Sequence, residues 1–342
     1  MLVRNEDIEV FLKGRIWMEK RPNHELFQRH PSNPILSVKD WPYNANSVFN
    51  AAATEVEGKI LLLVRVEDFR GISHFTVARS NDGVSNWEID PEPTMRPDPA
   101  KYPEELWGIE DPRVTWLKEL GQWGVTYTAF SKGGPLVSLA TTKDFVTFKR
   151  LGPVMPPEDK DAALFPKSFG KRWAMLHRPV ARAPNIATNI WLSYSPDLRH
   201  WGNHQEVIYA REGSWWDANK IGLSAPPIET SEGWLVLYHG VRTTSSGSIY
   251  RLGLVLLDLE DPTRVIRRTD EWIFGPKAAY EREGDADDVV FPCGWTVKDD
   301  TINMYYGAAD SCIALATAKL SELVAFTLGC PDYSPYDWWK SR

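Results

Sequence analysis

The sequence predicts an all-β protein folded as a five-bladed β-propeller. Three observations lead there: a five-fold echo of paired strands, a matching set of outer turns, and 25 Pro and 23 Gly placed mostly between short apolar runs. Repeats of roughly 50–70 residues, each built from short strands, are the signature of propeller blades. The first repeat runs from Phe49-Asn50-Ala51-Ala52 through a turn at Glu57-Gly58-Lys59 to an apolar strand, Ile60 to Val64, ending at Arg65. The second places Glu110-Asp111-Pro112-Arg113 before Gly121 and a strand from Val125 to Phe130. The third has Leu164-Phe165-Pro166, Gly170 and Trp173 to Leu176, ending at His177-Arg178. The fourth has Ser224-Ala225-Pro226-Pro227, Gly233 and Trp234 to Tyr238, ending at His239. The fifth has Phe291-Pro292-Cys293-Gly294, Asp299-Asp300 and Ile302 to Tyr306, ending near Asp310. Radial symmetry would gather Asn50, Arg65, Asp111, Lys160, His177, Arg178, His239 and Asp310 at one channel.

The outer half of each repeat agrees. Ser80-Asn81-Asp82-Gly83 leads to Trp87, Thr142-Lys143-Asp144 to Phe148, and Ser195-Pro196-Asp197 to Trp201, with looser copies around Asp258 and after Ala314. Asp closes turns through its own side chain, so these residues report fold rather than chemistry. No Ser/Gly/Pro-rich linker divides the 342 residues, and one domain spanning 1–342 is expected. Residues 1–45 read as an arm or partial strand that closes the ring or meets a neighbouring subunit, which leaves a homo-oligomer open. Residues 326–342, with Trp338-Trp339, read as a tail that docks.

Composition narrows the function. A net charge of −7 excludes the basic face that nucleic acid requires. Cys293, Cys312 and Cys330 are an odd number without paired metal spacing, which points to a reducing, cytoplasmic compartment. The N-terminus lacks the apolar run of a signal peptide, and no stretch reaches the length of a membrane span. Among the 16 Trp, Trp107, Trp215 and Trp216 are the candidates to stack on a sugar, with core packing the simpler role for each. Walker-type phosphate loops, dinucleotide fingerprints and nucleophile elbows are absent, and no metal or cofactor is assigned.

Glu110-Asp111-Pro112-Arg113 is the sharpest element. Pro112 is expected to bias Asp111 to an extended backbone with its carboxylate aimed at the channel. Lys160, Arg178 and His239, from later repeats, should converge on the same mouth. One acid facing several anion-holding groups suggests an acid-catalysed displacement by an anionic nucleophile. A structural alternative makes the inner cations ion-pair partners of Asp161 and Asp288.

These residues resemble glycoside hydrolase family 130, the β-mannoside phosphorylases and related mannosidases. The resemblance runs from about Asn33-Pro34-Ile35 to Ala318. It rests on Val48-Phe49-Asn50, Glu110-Asp111-Pro112-Arg113, Leu164-Phe165-Pro166, His177-Arg178-Pro179, the run Ile228 to Trp234, Tyr238-His239-Gly240, Val290-Phe291-Pro292-Cys293 and Tyr305 to Asp310. It implies a five-bladed propeller with Asp111 as general acid, protonating the glycosidic oxygen through the mannose 3-hydroxyl. Phosphate, a co-substrate, would attack from the opposite face and release α-mannose 1-phosphate with inversion. The resemblance places Asn50, Arg65 and Asp310 on the mannose, with Glu110 and Asp161 at neighbouring substrate positions, and Lys160, Arg178, His239 and Tyr250 on the phosphate. Lys160 stands where some members carry Arg, Asp161 where they carry Asn, and Glu110 where some carry Tyr. An inverting hydrolase needs a second carboxylate to activate water, whereas a phosphorylase needs one acid and a cationic cradle. The expected activity is therefore phosphorolysis of short β-1,2- or β-1,4-mannosides. A β-mannosidase on the same scaffold, with Asp161 or Asp288 as base, is the alternative, and a non-catalytic glycan- or protein-binding propeller a more distant one.

Overall fold

The structure, a computed structural model, describes residues 25–180 and 187–332. The first strand among the described residues is the two-residue β1 (Gln28–Arg29), and the sheets then follow in sequence order. Blade I comprises β2 (Ser47–Val56), β3 (Lys59–Glu67), β4 (Ser73–Ser80) and β5 (Glu88–Ile89). Blade II comprises β6 (Ile109–Leu117), β7 (Gln122–Ser131), β8 (Gly134–Thr142) and β9 (Phe148–Pro153). Blade III comprises β10 (Asp159–Leu164), β11 (Trp173–Pro179), β12 (Ile190–Ser195) and β13 (Gly202–Ile208). Blade IV divides its innermost strand into β14 (Lys220–Leu223) and β15 (Ile228–Thr230), followed by β16 (Gly233–Thr244), β17 (Gly247–Leu257) and β18 (Val265–Arg268). Blade V comprises β19 (Val290–Lys298), β20 (Thr301–Ala308) and β21 (Cys312–Lys319), and the N-terminal β1 is its outermost strand. The named strands pair antiparallel, and the innermost strands β19, β2, β6, β10 and β14 pack successively around the axis. This is the five-bladed propeller that the repeats predict.

Burial explains why the strand sequences are apolar runs rather than alternating ones. Each blade is covered on both faces, so side chains pointing either way enter a core. In β3, Leu62, Val64 and Val66 pack against Tyr305, Ile313 and Leu315 of blade V, while Leu61 and Leu63 pack against Ile109, Val114 and Val125 of blade II. Comparable apolar seams join blades II and III, III and IV, and IV and V. Among the described residues the core is therefore five radial seams, with a small further cluster of Val289, Phe291 and Cys293.

The outer turns behave as their sequences predict. Asp82 accepts the amides of Val84 and Ser85, Asp144 those of Val146 and Thr147, and Asp197 those of Arg199 and His200. Trp87 and Trp201 donate their indole N–H back into the same turns. The arm closes the ring: β1 pairs with β21, and Asn33 exchanges two 2.8 Å hydrogen bonds with the Leu315 backbone. After β21 the chain forms a helix, Leu320–Leu328, which buries Leu323 in the blade IV–V seam. The expected docking of Trp338-Trp339 lies outside the described residues.

Candidate active site

Three consecutive innermost strands carry the same local device. The ladder slips between Phe49 and Ala52 in β2, between Glu110 and Arg113 in β6, and between Lys160 and Ala163 in β10. At each bulge one non-glycine residue adopts a left-handed backbone: Asn50 at φ 47°, Asp111 at φ 51° and Asp161 at φ 54°. Asn and Asp are the side chains that best tolerate this region, and a bulge re-aims the residue it contains. The extended conformation expected of Asp111 from Pro112 is thus not what forms; the bulge overrides it.

Asp111 is buried, and its Oδ1 accepts hydrogen bonds from Asn50 Nδ2 and Arg65 Nη1, both at 2.9 Å. Arg65 reaches the site from the end of β3 and lies over the Phe49 ring, 4.5 Å from its centroid. It also lies 3.4 Å from carboxylate oxygens of both Glu67 and Glu110, and Ser73 accepts its Nε–H at 3.0 Å. Burial opposes ionisation of Asp111, but the charges of Arg65, Lys160 and Arg113, with the Asn50 amide, hold its carboxyl below the usual range. Asp310 behaves oppositely: burial, then the neighbouring Asp111, Glu67 and Glu110 carboxylates, push it up to about 6 against the pull of Arg65. Asn50 Oδ1 is buried with no hydrogen-bond partner among the described residues. Gly307 gives Asn50 its room, since a Cβ there would collide with the Asn50 side chain.

A second cluster centres on Asp161. Its Oδ2 lies 2.7 Å from both Arg178 Nε and Arg178 Nη2 and 3.6 Å from His239 Nε2, and Oδ1 lies 3.4 Å from Arg113 Nη2. Burial again opposes the charge, but the cations Arg178, Arg113 and Lys160 hold Asp161 far below the usual carboxylate range. Gly222 of β14 permits the approach: a Cβ there would stand 2.5 Å from Asp161 Oδ2 and from His239 Nε2. Lys160 lies between the clusters, its ammonium 3.8 Å from Glu110. Arg113 also joins them, donating to the Asp111 carbonyl at 3.0 Å and facing Asp161.

His239 packs on Phe291, with ring centroids 4.7 Å apart, and on Tyr250 at 5.8 Å. Burial, reinforced by Arg178, Lys220 and Arg113 against the pull of Asp161, pushes its imidazole down to about 3. The ring is neutral at neutral pH, so the positive charge expected of it is missing. Lys220 supplies a cation instead. It opens β14, its Nζ donates to Tyr250 Oη at 2.7 Å, and burial with Arg178 and Lys160 brings it down to about 8 in spite of Asp161. The sequence reading missed Lys220 because the innermost strands of blades III and IV begin earlier than the echo at Leu164 and Ser224; the signal was the Lys220-Ile221-Gly222-Leu223 run itself.

Of the expected channel residues, only His177 faces elsewhere. Alternation along β11 turns it away from the Arg178 side, onto Asp159 and Ser193. Among the tryptophans, Trp216 is buried and stacked on Tyr238, while Trp107 and Trp215 are partly exposed. Asp288 makes no side-chain contact with either cluster among those described, although its carbonyl accepts the Tyr250 amide at 3.2 Å.

The channel thus holds an acid bracketed by an arginine, an amide and further carboxylates, beside a cationic group of Lys160, Arg178 and Lys220. A family model described as beta-1,4-mannooligosaccharide phosphorylase matches residues 17–328, and the chain belongs to that family, glycoside hydrolase family 130. It is 36% identical over 309 residues to a 1,2-β-oligomannan phosphorylase of Thermoanaerobacter sp. (strain X514), covering 86% of this chain and 98% of that protein. Identity to a β-1,4-mannooligosaccharide phosphorylase of Ruminococcus albus is 32%, covering 91% and 93%. The fold superposes on a Listeria innocua β-1,2-mannobiose phosphorylase, solved with β-1,2-mannobiose, at a TM-score of 0.80 and 31% identity, covering 88% of this chain and 99% of that one.

Proposed function

We propose that this enzyme is an inverting glycoside phosphorylase that cleaves short β-1,2- or β-1,4-mannosides with inorganic phosphate, releasing α-mannose 1-phosphate. The observation that carries this reading is the division of the site into one acid centre, Asp111, and a separate basic group of Lys160, Arg178 and Lys220. Asn50, Arg65, Glu110 and Asp310 surround Asp111 and would hold the mannosyl unit. Phosphate brings its own charge, so no base is required; it needs cations to hold it near a carboxylate, and charge-assisted contacts serve that purpose. His239, being neutral, would contribute a hydrogen bond rather than charge, with Tyr250 beside it.

Asp111 must donate a proton to the departing oxygen, directly or through a sugar hydroxyl, yet in the free enzyme it is held ionised. A phosphate dianion beside Lys160 would offset part of the field that keeps the proton off. Nucleophile binding and arming of the acid are thus coupled through one lysine. The mannosidase alternative requires a carboxylate with a lone pair free for water. Asp161 is buried and committed to Arg178, Arg113 and His239, which favours phosphorolysis.

Asp111→Asn tests the acid. The amide is isosteric and keeps an acceptor for Arg65, so folding should persist while turnover falls by about 10²–10⁴-fold. A mannoside with an acidic phenol leaving group should regain much of that loss. A decrease smaller than about ten-fold would assign proton donation elsewhere.

A further inference from the structure

Behind Arg178, four polar side chains cross blade III in an unbroken line. Asp159 of β10 lies 2.6 Å from His177 Nδ1 through its Oδ2. His177 Nε2 lies 2.8 Å from Ser193 Oγ of β12, and that oxygen lies 2.6 Å from His204 Nδ1 of β13. Asp159, His177 and Ser193 are buried, whereas His204 is exposed. The spacing imitates an Asp–His–Ser nucleophilic triad, but Ser193 is fully buried and its hydroxyl is wedged between two imidazoles, so no substrate reaches it. With His177 Nδ1–H donating to Asp159, Nε2 accepts the Ser193 hydroxyl, and Ser193 Oγ accepts His204 Nδ1–H. Each hydrogen bond of the line then has one donor and one acceptor.

The useful end of this line is the other oxygen of Asp159. Oδ1 accepts the backbone N–H of Arg178 at 3.1 Å. Arg178 is the penultimate residue of β11, and it pairs with Lys160 immediately before the ladder slips at the Asp161 bulge. Regular strand pairing therefore fails on one side of Arg178 at the place where its guanidinium must meet Asp161. We infer that Asp159 and His177 are positioning residues for anion binding: the imidazole fixes the carboxylate, and the carboxylate fixes the Arg178 backbone, so the guanidinium is held in register with Lys160 and Lys220. The proposal rests on the phosphorylase reading. Groups that act through a ligand in this way are worth about 10–100-fold in metal sites, and the same logic applies to an arginine clamp.

The test is calorimetric titration of inorganic phosphate, with separate KM values for phosphate and mannoside, on wild type, His177→Ala, His177→Asn and Ser193→Ala. His177→Ala should weaken phosphate binding by about ten-fold or more while the mannoside KM stays within about two-fold. His177→Asn, whose amide can still donate to Asp159, should recover most of the loss. Ser193→Ala frees only the far side of the ring and should cost about two- to ten-fold, which keeps the test open if His177→Ala does not fold. Unchanged phosphate affinity in folded His177→Ala, or in Ser193→Ala, overturns the positioning role while leaving phosphorolysis standing. Equal rises in both KM values, with no rescue by Asn, also overturn it, since they mark general loosening. A wild type that neither binds nor needs phosphate overturns the phosphorylase reading and this proposal with it.

Discussion

Asp111 and Asp310 are two carboxyls around one arginine, and their surroundings pull them apart. Arg65, Lys160 and Arg113 outweigh burial at Asp111, whereas burial and like charge dominate at Asp310, which rises to about 6. The residue types were legible in the sequence, because Asp111 sits in a distinctive run and Asp310 ends the fifth repeat. Their ionisation was not, since it depends on which charges arrive from other blades. The neutral state of His239 was hidden for the same reason: its neighbours Arg178, Lys220 and Arg113 come from three different strands. Asp310 also makes a stability statement. Its folded value lies above the ordinary 3.8, so below about pH 4 it is protonated in both states and neutral in effect. As pH rises the unfolded chain ionises first, and the folded state loses stability until pH passes about 6. The rise from 3.8 to about 6 corresponds to roughly 3 kcal/mol at most. Asp310→Asn should therefore raise the melting temperature at pH 8 but not at pH 4, at the expense of activity. An equal change at both pH values would show that the carboxyl carries no such burden.

At the scale of elements, the site depends on bulges and on one close approach. The five-fold echo located the innermost strands of blades I, II and V, and it placed Asn50 and Asp111 correctly at the channel. It did not show that β2, β6 and β10 share a slipped ladder with a left-handed residue, because a bulge is a relation between two strands and leaves little mark on either alone. Pro112 suggested an extended Asp111 through its local preference, and the tertiary ladder prevailed. The strand end of the third repeat predicts both His177 and Arg178 at the channel, but period-two alternation sends adjacent residues to opposite faces. Gly222 is the element-scale test. Gly222→Ala introduces a Cβ 2.5 Å from Asp161 and His239, so both must move, and Arg178 with them. The KM for phosphate should rise by about ten-fold or more, equivalent to losing one charge-assisted contact, with a smaller effect on the mannoside. Equal effects on both substrates would place Gly222 in general packing instead.

The described residues are held by five radial seams and by the pairing of β1 with β21, so the first and last described strands meet in one blade. Strand runs with apolar residues on both faces made the seams readable from sequence. The closure was expected only as an arm because Gln28–Arg29 has no apolar pattern to announce a strand. Arg29 secures it: its guanidinium bonds Glu281 at 2.7 and 2.9 Å, Glu25 at 2.7 Å and the Gly275 carbonyl at 2.6 Å. Glu281 is fully buried and also accepts from Tyr306 at 2.7 Å. Arg29→Ala would leave that carboxylate without its cation, a loss of about 3–5 kcal/mol for a buried pair. The melting temperature should fall clearly while kcat of the folded fraction is retained, because no described contact of Arg29 reaches Asp111 or Asp161. Loss of kcat without loss of stability would mean that ring closure reaches the site by another route.

The division of labour between Asp111 and the Lys160, Arg178 and Lys220 group is decided most directly by the products formed with and without phosphate. The purified enzyme, freed of phosphate and incubated with β-1,2- and β-1,4-mannobiose, should be nearly inactive. Added phosphate should restore the rate saturably, and NMR of the first product should show α-mannose 1-phosphate formed in step with the cleaved disaccharide. Free mannose from both halves of the substrate, at a rate indifferent to phosphate, would contradict the account and make the enzyme a mannosidase.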